Sequence, residues 1–145
     1  MKVKAKNIFV SQFNLQVNEY PWMVRLAKPD PRHDVFCGGT LLNGLWVLTA
    51  ETCKVSVGDI AVLGDHDFLA TEFKEKHHKI AEVMSQNKLA LLRLENPADF
   101  GNVPYVLPAC FPSHPETNYG EGMPAIATGW GTTNQVWLYL NMITS

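Results

Sequence analysis

A chain of 145 residues with 12 Lys plus Arg against 14 Asp plus Glu carries a formal charge of −2, which excludes nucleic-acid or anionic-membrane binding by bulk charge. Hydrophobic residues make up 46% and charged residues 18%, a balance that excludes a disordered tail. The 10 Gly and 9 Pro exclude collagen and low-complexity linkers, and the length suits one domain able to bury a core.

In chain order, Lys2, Lys4 and Lys6 resemble the positive start of a signal peptide. Asn7, Ser11, Gln12 and Asn14 interrupt any apolar stretch behind them, so no signal peptide is visible. No apolar run reaches the roughly 18 residues of a membrane span. Val35–Cys37 and Gly39–Leu42 lead into Asn43-Gly44 and then Leu45–Leu48. Asn-Gly between apolar runs signals a hairpin, because both residues tolerate positive φ. Ile60–Leu63 is a short strand ending at Gly64, and Ile80–Met84 and Leu89–Leu94 are further strands. Periodicity alone leaves Leu89–Leu94 open to a helical reading. Pro97, Pro104, Pro108, Pro112 and Pro115 space out an extended crossing, where proline removes ladder donors. Ala125–Thr128 is a strand before Gly129-Trp130-Gly131, and Val136–Ile143 is an apolar tail. The three cysteines are an odd count, so an oxidised chain leaves one thiol over or pairs it with another chain.

Six segments carry a resemblance. They are Tyr20-Pro21-Trp22-Met23-Val24, Cys37-Gly38-Gly39-Thr40-Leu41-Leu42, Trp46-Val47-Leu48-Thr49-Ala50, Ala90-Leu91-Leu92-Arg93-Leu94, Pro108-Ala109-Cys110 and Thr128-Gly129-Trp130-Gly131. In this order, from about Asn18 to Thr133, the chain resembles the trypsin-like serine proteases. The resemblance implies an all-β, chymotrypsin-like double antiparallel β-barrel, with the first barrel complete and the second only partly present. It assigns residues 1–17 to a degenerate, activation-peptide-like segment and 18–96 to the first barrel. Residues 97–116 become a Pro-rich inter-barrel linker, and 117–145 a partial second barrel with a divergent apolar tail.

Acyl transfer in this family needs a Ser nucleophile, a His base, a buried carboxylate and an oxyanion hole. The resemblance puts the His immediately before Cys53, where this chain has Thr52. A threonine hydroxyl has no useful basicity near neutral pH. It puts the Asp two residues before Ala90, where this chain has Lys88. A cation there disfavours an imidazolium instead of stabilising it. No Gly-Asp-Ser-Gly-Gly segment precedes Ser145, so the expectation is a truncated homolog without the nucleophile. The stretch matching the family's activation site, Ile8-Phe9-Val10-Ser11, follows Asn7 and not Arg or Lys. His66, His77 and His78 read as surface histidines, since no nucleophile or carboxylate partner can be named for them.

The resemblance also pairs Cys37 with Cys53 in a disulfide, worth about 3 kcal/mol through the loop it closes; in a reducing compartment the two are simply buried thiols. It matches Cys110 to a cysteine that tethers an upstream segment. With no fourth cysteine, Cys110 is either a covalent link to another chain or an orphan thiol, and the orphan is the simpler reading. Asp65, Asp67, Glu72 and Glu75 follow Gly64 in the spacing of a calcium loop found in some relatives. A solvated acidic loop diluted by Lys74 and Lys76 is the competing reading, and no cofactor is expected. Trp22, Trp46 and Trp130 sit inside packing motifs and read as structural.

The expectation is a non-catalytic serine protease homolog that binds a protein partner, with no nucleic acid or membrane among its ligands. Two rivals are a degenerate or misspliced fragment without selected activity and an active trypsin-like endopeptidase. The family resemblance implies an extracellular location.

Overall fold

The computed structural model describes residues 8–10, 19–29, 35–65, 75–101, 105–111 and 125–130. The elements are β1 (Ile8–Val10), β2 (Met23–Ala27), β3 (Val35–Leu41), β4 (Trp46–Ala50), a 3₁₀ turn at Glu51–Cys53, β5 (Ile60–Leu63), β6 (Lys76–Gln86), β7 (Leu89–Leu94) and β8 (Ala125–Ala127). The protein is all-β, and six strands close a barrel in the order β2-β3-β4-β7-β6-β5. Every pair in it is antiparallel. Closure leaves none of these six strands as a free edge.

β7 settles the open choice between helix and strand. Ala90, Leu92 and Leu94 are buried, whereas Leu89 is exposed and Leu91 and Arg93 are half-buried. That period of two belongs to a strand with one face on a core. The barrel interior is filled by Val24, Leu26, Leu41, Val47, Ala61, Leu63, Ile80, Ala90, Leu92 and Leu94. Each large aliphatic buried there contributes about 1.5–3 kcal/mol of apolar transfer. Ala98 and Val106, from the Pro-rich stretch, are buried against the same core. Ala98 N donates to Gly44 O at 2.7 Å, Leu107 N to Pro21 O at 3.1 Å and Ala109 N to Leu41 O at 2.8 Å, which lays this stretch on the barrel wall.

The β3–β4 hairpin forms around Asn43-Gly44, but by a different device from the one its sequence suggests. The strands end at Leu41 and resume at Trp46, and neither Asn43 nor Gly44 has positive φ. Instead the Asn43 side-chain oxygen accepts from Leu45 N at 2.9 Å and Trp46 N at 3.1 Å. The tight two-residue hairpin is at Asn87 and Lys88, with φ of 54° and 68°. Those paired left-handed residues match the right-handed strand twist of β6 and β7.

By contacts the chain divides into two units, Gln16–Phe111 and Met1–Leu15 with Pro112–Ser145. The first holds the barrel. The second holds a two-stranded sheet in which β1 pairs parallel with β8, Ile8 opposite Ala125 and Val10 opposite Ala127. β1 belongs to the N-terminal segment that the resemblance sets apart from the barrels. The pairing places the activation-site-like Ile8–Val10 in a strand.

Candidate functional site

β4 and β7 are neighbours in register, with Ala50 opposite Leu89 and Thr49 opposite Ala90. One step beyond each strand end lies the 3₁₀ turn carrying Thr52 and the hairpin turn carrying Lys88. Glu51 N donates to Lys88 O at 2.9 Å, which holds the two turns together. The structure therefore brings together the backbone at both positions that the resemblance assigns to the base and its carboxylate. Both side chains are exposed. At this site the chain presents a hydroxyl and an ammonium.

The turn that carries Thr52 is anchored covalently and by hydrogen bonds. Cys53 is disulfide-bonded to Cys37 on β3, with Cα atoms 5.9 Å apart. Thr49 Oγ1 donates to Gly38 O at 2.7 Å and lies 3.3 Å from Cys53 Sγ. Lys54, at φ 48°, ends the turn in the left-handed region, and its N–H donates to Glu51 O at 3.0 Å. Gly39 is required by close approach. A Cβ there would sit 2.9 Å from Val47 Cγ1 and 3.1 Å from Leu48 O, inside van der Waals contact.

No histidine is positioned to take over beside Thr52 among the described residues. His77 and His78 lie near the start of β6, whereas Lys88 follows its far end. The eight steps from His78 to Gln86, at roughly 3.3 Å each, separate them by about 25 Å along the strand. His77 Nε2 contacts Glu75 Oε2 at 3.2 Å, and His78 Nδ1 contacts Asn96 O at 3.1 Å. Burial lowers the pKa of His78 from its usual value; the Asn96 carbonyl opposes this, and His77 and Lys76 add to it. His66 lies outside the described residues.

Of the calcium-loop residues, Asp65 and Glu75 are buried against Arg25, and Asp67 and Glu72 lie outside the described residues. Among the described residues, no three His, Cys, Asp or Glu side chains are grouped to hold a metal. Cys110 is free and exposed, next to the exposed Phe111. Trp22 packs against the barrel core and meets Tyr20 edge-on, with ring centroids 6.0 Å apart. Trp46 and Trp130 are half-buried. No helix of the described residues is long and apolar enough to cross a membrane.

Sequence reasoning did not find Arg25. It sits between Val24 and Leu26 on β2, where alternation assigns a charged residue to solvent, yet its side chain is 2% exposed. The signal that finds it is a long-range one: the carboxylates that cover it come from beyond β5 and before β6.

Comparison with known proteins agrees with the barrel. A sequence model of the trypsin family matches residues 9–144. Among curated proteins the chain is similar to ovochymase of Halocynthia roretzi, at 28% identity over 128 residues. The match covers 80% of this chain, and the chain spans 8% of that protein's length.

Proposed function

This chain belongs to the trypsin family, and from that premise we propose that it is a non-catalytic member, a protein-binding or regulatory module built on the family's barrel. The carrying observation is that Thr52 and Lys88, at the positions the resemblance gives to the general base and its carboxylate, lie in two turns joined by the Glu51 N–H to Lys88 O hydrogen bond. Proton abstraction from a serine needs a group of near-neutral pKa, which threonine does not offer. Lys88 brings a positive charge where an imidazolium would need a negative one. The barrel alone does not confer the activity, which depends on the residues of the site.

The closed barrel supports a folded module over a failed gene product, because its core and ladder are complete within Gln16–Phe111. Beside Lys88, Leu89 is 52% exposed and Met84 44% exposed, so the same end of the barrel offers apolar contact area to a protein partner. The Cys37–Cys53 disulfide suits an oxidising, extracellular setting. The exposed Cys110 thiol is the sulfur that a second chain could reach.

The test is turnover of a panel of fluorogenic peptide substrates by the full chain. The expected rate is that of a boiled control, with no labelling by a serine-directed fluorophosphonate. Turnover above the control that the reagent abolishes overturns the reading.

A further inference from the structure

Arg25 lies in β2, where Val24 through Ala27 are all buried. A guanidinium stays charged in proteins, so a buried one needs anions close by. Two carboxylates supply them. Asp65 Oδ2 accepts from Arg25 Nε, and Glu75 Oε2 lies 3.7 Å from Arg25 Nη2. The Asp65 side chain is 0% exposed and that of Glu75 7%.

The placement of the three residues gives the cluster its purpose. Asp65 follows β5 directly after Gly64, whose φ of 72° lies in the left-handed region. Glu75 immediately precedes β6. β5 pairs with β2 on one side, Val62 opposite Arg25, and with β6 on the other, Leu63 opposite Lys76. One cation on β2 therefore grips both ends of the connection between β5 and β6. These two carboxylates are also the described members of the acidic set that the resemblance gives to calcium. A calcium ion needs six to eight oxygen ligands free of competing cations. Here one Asp65 oxygen already accepts from Arg25, and the Glu75 oxygen facing Arg25 also faces His77.

We propose that Arg25 is the built-in counter-ion of Asp65 and Glu75, tying the end of β5 to the start of β6 with a guanidinium in place of a divalent cation. That tie is then made at any calcium concentration, and chelators leave it unchanged. The inference is independent of whether Thr52 and Lys88 abolish catalysis.

Thermal melts of the full chain in CaCl2 and in EDTA test it, because a ligand that binds only the folded state raises Tm by mass action. The wild-type Tm is expected to agree within about 1 °C between millimolar calcium and EDTA. A Tm that climbs with calcium to a plateau overturns the proposal. A double-mutant cycle of Arg25→Met and Asp65→Asn reads the clamp itself. Each single variant is expected to lower Tm, and the double variant to lose clearly less than the two losses added, the signature of a direct pair. Fully additive losses overturn it. Should Arg25→Met give no cooperative melt, Arg25→Lys replaces it in the cycle, and the wild-type calcium response stands without any substitution.

Discussion

Among the described residues, the buried carboxylates Asp59 and Asp65 each face a cation. Asp59 takes Lys28 Nζ at 2.9 Å together with Ser56 N–H, while Lys28 also lies 4.5 Å from the Phe36 ring centroid. Asp65 takes Arg25. His78 is in the opposite position: burial opposes its charge, and its neighbours His77 and Lys76 repel it. Its folded pKa therefore lies below the usual 6.5, and the unfolded chain binds the proton more readily. Stability is predicted to fall as pH drops below that unfolded value, with the loss complete once pH is under the folded one. Replacing the group as His78→Gln should flatten the Tm profile over that window relative to wild type. An unchanged slope would assign the acid sensitivity to other groups.

At the scale of elements, the two hairpins show what local sequence conveys and what it hides. Asn43-Gly44 marks a hairpin correctly, but the turn is built from an asparagine side chain capping two N–H groups. Asn87-Lys88 carries no such advertisement, because lysine is a poor resident of the left-handed region. There the ladder of β6 on β7, unbroken from Glu82 to Gln86, imposes the turn. Removing that penalty with Lys88→Gly is predicted to stabilise the protein by about 1 kcal/mol. Urea unfolding would show it as a higher midpoint at constant slope, and a lower midpoint would mean the Lys88 side chain earns its place elsewhere. The same contrast governs the rest of the molecule. The apolar cores of β5 and β7 are legible from their own residues, and the Cys37–Cys53 bridge follows from the motifs around it. β2 is hard to read as a buried strand because Arg25 interrupts it. Thr52 and Lys88 are legible as departures, but only the pairing of β4 with β7 brings the turns that carry them together.

At the scale of the whole molecule, the barrel is assembled from one continuous stretch of chain, Gln16–Phe111, with its disulfide inside that stretch. Residues 16–111 alone are predicted to unfold cooperatively in near-UV circular dichroism under oxidising conditions. Fixed packing around Trp22 and Trp46 would supply the signal, and a featureless trace would mean that the remaining chain is needed to complete the core. The parallel sheet has the opposite topology. Its β1 comes from the first residues of the chain and its β8 from beyond the barrel, so Ile8 meets Ala125 only after everything between them has been made. Long-range closures of this kind are slow, because the chain loses entropy before the contact rewards it. During synthesis β1 thus emerges before the barrel, and its partner β8 only after it. The barrel has time to fold while three apolar residues, Ile8, Phe9 and Val10, wait for the strand that will pair with them.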